Sequence, residues 1–144
     1  MAIKQISVFL ENRPGTLLKM TGVLAQNNID MRALSLAETK DFGIVRLIVD
    51  DVFSATTALK DADFISSITD VVAVLIPDEP GGLDKVLRVL NDASVNIEYM
   101  YAFLGGRDVD DAYMIFRVGD CKAAETALKD KEIKVVTQEE IAEL

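Results

Sequence analysis

The chain of 144 residues contains no histidine and no tryptophan, and it has only one cysteine, Cys121, and three prolines. Without histidine it cannot build a Ser-His-Asp triad, an imidazole general base or a His-ligated zinc site. A single cysteine excludes an intramolecular disulfide and a cluster of cysteine ligands around a metal. These absences disfavour most kinds of enzyme, and we expect a protein without a catalytic site, a cofactor or a metal.

Basic residues are scarce as well, because 15 lysines and arginines stand against 24 aspartates and glutamates, for a formal charge of -9. Such a charge repels nucleic acid and anionic membranes, so neither is an expected partner. The N-terminal residues Met1 to Gln5 are too polar for a signal peptide, and no apolar run approaches the ~18 residues of a membrane span. We therefore expect a cytoplasmic protein.

What the sequence does contain is a duplication. Pro14-Gly15 and Pro80-Gly81 each stand between a strand-like apolar run and the start of an amphipathic helical pattern. The two pairs are 66 residues apart (80 − 14), and Asp30-Met31 maps by the same spacing onto Asn96-Ile97. The sequence therefore predicts two copies of one unit, at residues 1–69 and 70–144.

Each copy is predicted to follow the order βαββαβ, because period-2 apolar patterns alternate with helical ones. The elements are predicted at 3–10, 14–27, 29–37, 42–49, 51–62 and 65–69 in the first copy, and at 71–76, 83–93, 95–104, 113–118, 122–129 and 133–136 in the second. The polar tail 137–144 is predicted to add one helical turn. This order gives an α+β fold of two tandem ferredoxin-like modules, each with an antiparallel sheet and both helices on one face.

The Pro-Gly turns are candidate anion sites. A strand that passes into a helix through Pro-Gly leaves the first backbone N–H groups of the helix unpaired, and glycine lets another molecule approach them closely. A carboxylate or a phosphate is the kind of group that such N–H donors attract. The alternative is that Pro-Gly only starts the helix and that the neighbouring Asn and Asp residues only form turns.

Both copies resemble the ACT domain family, small βαββαβ modules that bind amino acids and regulate metabolism. The resemblance rests on residues 12–17 (Asn-Arg-Pro-Gly-Thr-Leu) and 28–31 (Asn-Ile-Asp-Met) in the first copy, and on 78–83 (Asp-Glu-Pro-Gly-Gly-Leu) and 94–97 (Ser-Val-Asn-Ile) in the second. It covers essentially the whole chain and leaves no catalytic domain. It implies an effector bound at an interface between modules, near the turn before the first helix and the start of the second strand.

The resemblance implies an amino acid as ligand. Its carboxylate would accept from N–H groups of residues 15–17 or 81–83, and its ammonium would need a side-chain acceptor from the same motifs. The candidate ligand-binding residues are Asn12, Gly15, Thr16, Leu17, Asp30, Met31, Asp78, Gly81, Gly82, Leu83, Asn96 and Ile97.

We therefore expect a free-standing regulatory protein that binds a small amino acid and forms a homo-oligomer, most simply a dimer. One alternative is a non-catalytic subunit that regulates a separate enzyme of amino-acid metabolism by contact. A small enzyme on the same fold is disfavoured, because the chain offers no histidine and no nucleophile paired with a base.

Overall fold

The computed structural model describes residues 2–38, 40–103 and 110–144. The chain forms two compact units: the first unit is Lys4–Thr69, and the second unit is Asp70–Leu144 together with Ala2 and Ile3. The elements are β1 (Ile3–Glu11), α1 (Thr16–Gln26), β2 (Met31–Glu38), β3 (Phe42–Val49), α2 (Val52–Asp61), β4 (Ile65–Pro77), α3 (Gly82–Asp92), β5 (Ile97–Ala102), β6 (Asp111–Val118), α4 (Cys121–Asp130), β7 (Val135–Val136) and α5 (Gln138–Glu143).

The first unit has its strands in the order β2-β3-β1-β4. β3 is antiparallel to both β1 and β2, and Val8 of β1 lies opposite Val45 of β3. α1 and α2 cover one face of this sheet, because their buried residues Met20, Leu24 and Leu59 join the core with alternate strand residues. The residues of β3 in this core are Val45, Leu47 and Val49, which alternate along the strand and so share one face.

The second unit repeats the arrangement with the strand order β7-β4-β6-β5. β4 is antiparallel to β6 and β7, and β6 is antiparallel to β5. Val86 and Leu90 of α3 and Leu128 of α4 pack against alternate residues of β4 and β6, among them Val74 and Phe116. The α+β, ferredoxin-like fold with helices on one face of an antiparallel sheet is confirmed in both units.

Apart from β4, the predicted bounds lie within two residues of those in the structure, and the differences at β4 and at the start of β5 have a local reason. The strands expected at 65–69 and 71–76 are one strand, β4, because the exposed Asp70 between them keeps the backbone extended while its side chain faces water. The strand expected at 95–104 begins only at Ile97, since Val95 N–H still donates to the Leu90 carbonyl at the end of α3. Its predicted last residue, Leu104, lies outside the described residues.

The last helix, α5, confirms the predicted turn in the C-terminal tail. It begins with a capping box, in which Thr137 and Glu140 each accept from the other's backbone N–H. The helices of the described residues have between 6 and 11 residues. Within those residues, no helix has the length and apolar character needed to cross a membrane.

Candidate functional site

The first Pro-Gly turn joins β1 to α1. Its path is set by two backbone hydrogen bonds: Asn12 N–H donates to the Asp41 carbonyl at 3.0 Å, and Arg13 N–H donates to the Glu11 carbonyl at 2.9 Å. Gly15 follows with φ of 88°, in the left-handed region. Only glycine adopts this conformation without strain, which is the local reason for the Pro-Gly sequence.

The second turn, between β4 and α3, has the same backbone. Asp78 N–H donates to the Asp110 carbonyl at 2.9 Å, and Glu79 N–H donates to the Pro77 carbonyl at 2.9 Å. Gly81 has φ of 85°. Both copies have therefore kept the same backbone hydrogen bonds in the turn.

Both turns present the start of a helix whose N-cap residue offers no side-chain acceptor. Gly15 and Gly81 are the N-caps, and neither supplies a side-chain hydrogen bond. Their carbonyls accept the first helical bonds, from Lys19 N–H and Lys85 N–H, each at 3.0 Å. The first-turn N–H groups, those of Leu17 and Leu83 included, are the donors that an anion would use.

The two turns differ at the first helical residue. Thr16 places its hydroxyl against the turn, where Oγ1 donates to the Glu11 carbonyl at 2.9 Å or the Arg13 carbonyl at 3.0 Å. At Gly82, the equivalent position, a Cβ would lie 2.3 Å from the Pro77 carbonyl oxygen. The second turn is therefore closed against its helix, and Gly82 is buried.

Two of the proposed ammonium acceptors have protein partners. The Asn12 side chain donates from Nδ2 to Glu38 Oε2 at 3.2 Å, which links the turn to the β2–β3 hairpin. The Asp30 carboxylate pairs with Arg32. Asp78 and Asn96 are exposed in the second unit.

Within one unit, the predicted site residues form two separate groups. The turn residues stand at the start of α1, and Asp30-Met31 follows its end, so the 11 residues of the helix separate them by about 16 Å. The same holds for Gly81 and Asn96 at the two ends of α3. A small ligand held by a turn therefore cannot reach the β2 or β5 start of its own unit.

The starts of β2 and β5 also differ. Asp30 N–H donates to Asp50 Oδ1 at 3.1 Å, and Asp50 N–H donates back to the Asp30 carbonyl at 3.1 Å. Gly119 stands in place of Asp50 in the second unit, and an open groove of about 470 Å³ lies there, lined by Asn96 and Glu98 among others. Met31 and Ile97 are half-buried and pack against the cores of their units.

A cavity of about 330 Å³ adjoins the first turn. It lies where the start of α1 meets the end of α2 and the neighbouring strand ends. Of the predicted residues only Thr16 lines it, and most of its walls were missed by the sequence analysis. The lining residues are Phe9, Leu10, Glu11, Arg13, Thr16, Lys19, Phe42, Asp63, Phe64 and Ile65.

The charged residues of this cavity are held loosely. Arg13 Nε lies 3.0 Å from Glu11 Oε2, but the two side chains are 68% and 61% exposed. An ion pair so exposed contributes little to stability and exchanges partners easily. Lys19 Nζ lies 5.8 Å from the ring centre of Phe64, within reach of a cation–π contact.

Among the described residues, neither a reactive thiol nor a metal cluster is found. Burial raises the pKa of Cys121, and its Sγ donates to the Asp70 carbonyl at 3.5 Å, so the thiol is not activated as a nucleophile. Over 2–38, 40–103 and 110–144, no three His, Cys, Asp or Glu side chains are grouped so that they could hold a metal ion.

Comparison with known proteins connects this geometry to a family. A family model described as an ACT domain pair matches residues 1–144. No protein of curated function matches the chain significantly.

Solved structures share the fold. A protein from Bacteroides thetaiotaomicron is 41% identical with a TM-score of 0.93, and the match covers 100% of this chain and 98% of that one. The ligand-free regulatory subunit of aspartate kinase from Thermus thermophilus is 18% identical with a TM-score of 0.64, over 88% of this chain and 91% of its own. The corresponding subunit from Thermus flavus is 17% identical with a TM-score of 0.60, over 88% and 90%.

Proposed function

Because the chain belongs to the ACT domain pair family, whose members are regulatory modules that bind amino acids, we propose that it is an amino-acid sensor. The effector binds at a Pro-Gly turn. The observation that carries this proposal is the repeated turn, in which a left-handed glycine, Gly15 or Gly81, precedes a helix start without a side-chain cap.

Binding regulates by changing which conformation of the protein is populated. The ligand carboxylate accepts from first-turn N–H groups, which Leu17 contributes in the first unit and Leu83 in the second. A ligand that contacts one conformation better than another shifts the equilibrium between them by its differential affinity. The changed surface is then read by a partner protein or by a second copy of the chain.

A second candidate function is a non-catalytic subunit that regulates a separate metabolic enzyme by contact. It is favoured by apolar surface: in the described part of the chain, the large exposed hydrophobic side chains all belong to the first unit, and Leu18 and Phe53 are the most exposed of them. Side chains of this kind on a helix surface suit a protein partner, either a second copy in a homodimer or an enzyme. The two Thermus proteins that share this fold are regulatory subunits of aspartate kinase. They support the regulatory-subunit function by analogy of fold only.

A thermal-shift screen of the purified chain against the standard amino acids tests the first function. A ligand that binds the native state stabilises it by about 2.7 kcal/mol at a hundredfold excess over Kd. We expect stabilisation by one amino acid or a few related ones, and its loss in Gly15→Val or Gly81→Val. Gly22→Ala, a change at a helical glycine with open space around it, is the control that keeps the response.

If none of the amino acids stabilises the chain, the sensor function is overturned. Co-purification of an enzyme with the tagged chain from the native host would then establish the regulatory-subunit alternative.

A further inference from the structure

We propose that the effector site is the cavity beside the first turn, that its ligand is a free amino acid with an apolar side chain, and that the described residues of the second unit form no equivalent site. This rests on the proposed function and specifies its site and ligand class. The cavity lies wholly within the first unit, so the proposal depends on the contacts of that unit alone.

The size and the walls of the cavity suit such a ligand. Its volume of about 330 Å³ lies at the lower end of the range for small-molecule sites. Phe9, Phe42 and Ile65 contribute apolar walls that are 45%, 57% and 71% exposed. A ligand side chain that covers them removes apolar area from water, which favours binding through the hydrophobic effect.

The charges of the cavity suit a zwitterion. Glu11 and Asp63 balance Arg13 and Lys19, so the formal charge of the lining is zero in a chain that carries -9 overall. The ligand carboxylate, held at the start of α1, takes the place of Glu11 beside the Arg13 guanidinium, whose N–H groups donate to it together with the first-turn N–H groups of the helix. Glu11 and Asp63 then accept from the ligand ammonium. One weak exposed pair is thus exchanged for two pairs with the ligand.

The second unit has lost these features at the equivalent positions. Glu79 replaces Arg13, and Asp111 replaces Phe42. Lys134 replaces Ile65 and is already paired with Glu140, at 2.6 Å. Among the described residues, the guanidinium and two of the apolar walls therefore have no counterpart at the second turn.

Calorimetric titration of the full chain tests the ligand class. We expect leucine or phenylalanine to bind. The affinities of serine, aspartate and lysine should be lower by at least about tenfold. The two halves of the zwitterion are tested with 3-phenylpropionate, which lacks the ammonium, and 2-phenylethylamine, which lacks the carboxylate. Each is expected to lose about tenfold relative to phenylalanine.

Paired variants test the location. Phe42→Ala and Arg13→Gln should each weaken binding about tenfold. Their controls are Phe53→Ala, which removes an exposed phenylalanine away from the cavity, and Glu79→Gln, which alters the equivalent residue of the second turn; both should bind like the parent chain. Circular dichroism checks that all four variants fold, which we expect because none of the altered side chains belongs to a core.

The outcomes separate this inference from the proposed function. If no amino acid binds, both fail. If an amino acid binds, but Phe42→Ala and Arg13→Gln leave its affinity unchanged while Gly81→Val abolishes it, the sensor function stands and the cavity is not the site. Tighter binding of serine, aspartate or lysine than of leucine and phenylalanine would overturn the ligand class.

Discussion

The two units share a backbone and differ in what surrounds their turns. Gly15 and Gly81 have the same left-handed conformation and accept the same helical bond. Beside the first, Thr16 holds the turn with its hydroxyl and a cavity remains open. Beside the second, Gly82 lets the Pro77 carbonyl close against the helix. After duplication the turn geometry was kept, because a left-handed glycine and a helix start define it, while the side chains that would recognise a ligand diverged.

The largest expected effect comes from giving the second turn the threonine of the first. In Gly82→Thr the new Cβ would meet the Pro77 carbonyl oxygen at 2.3 Å, a separation that forces the turn or the helix to move. Overpacking of this kind destabilises by about 1–3 kcal/mol, and we expect the upper end because the obstacle is backbone. Chemical denaturation followed by circular dichroism measures the loss.

The reciprocal change, Thr16→Gly, is the control for that experiment. It removes a hydroxyl that donates to a turn carbonyl and creates no clash, so its cost should be lower, about 1 kcal/mol. If Gly82→Thr were as stable as the parent chain, the Pro77 carbonyl would not exclude a side chain at residue 82, and the two turns would not differ in the space beside the helix.

A smaller effect separates two glycines of the first unit. A Cβ at Gly15 or at Gly22 would meet no atom within 4 Å, but only Gly15 has positive φ. Gly15→Ala should therefore destabilise by about 1–2 kcal/mol through backbone strain alone. Gly22→Ala, within α1, should stabilise by about 0.5–1 kcal/mol. Equal effects in thermal unfolding would show that the left-handed conformation does not set the stability of the turn.

Much of the fold was predictable, because apolar periodicity follows burial. β3 has the predicted bounds, Phe42–Val49, since its apolar residues alternate across a sheet with one face on the helices. β4 was predicted as two strands because Asp70 interrupts the apolar pattern. An exposed side chain does not end a strand, and periodicity alone does not distinguish such a residue from a turn.

Less of the candidate site was predictable. The turns were predictable, because Pro-Gly before an amphipathic pattern specifies both the positive φ and the helix start. The cavity was not predictable, since Asp63 and Phe64 are distant from Arg13 in sequence. They lie beside the first turn because the end of α2 packs next to the start of α1. The roles of Asn12 and Asp30 as acceptors remain untested predictions. Their partners Glu38 and Arg32 were not predicted.

The comparison extends to the ends of the helices. α1 to α4 are each followed by a left-handed residue other than glycine, and these are Asn28, Asp63, Ser94 and Glu132. Asn and Asp tolerate this conformation better than Glu. Glu132→Gly, at φ of 59°, should therefore stabilise by about 1 kcal/mol, and Asp63→Gly, at the equivalent position with φ of 66°, by about half as much. Chemical denaturation measures the free energy of unfolding of both variants. An equal increase in both would show that the left-handed residue is no more strained in the second unit than in the first.

The smallest expected effect is a pH dependence at the start of α2, where Ser54 occupies the position that Ala123 has in α4. Asp51 caps α2, and its pKa lies below the ordinary 3.8 because Ser54 N–H, and then the Ser54 hydroxyl, donate to the carboxylate. A carboxyl whose pKa is lower in the folded state stabilises the fold above pH 3.8, and this contribution is lost as the pH falls through the lower folded-state value.

Ser54→Ala removes the hydroxyl but keeps the stronger backbone donor. The pKa of Asp51 should therefore rise toward 3.8 without reaching it, and the loss of stability in acid should become smaller. NMR titration of the Asp51 carboxyl carbon measures the shift, with Thr57→Ala, an exposed change in the same helix, as the control. A pKa that stays at the parent value in Ser54→Ala would mean that the hydroxyl does not act on the cap, and that the backbone N–H groups alone determine its acidity in α2.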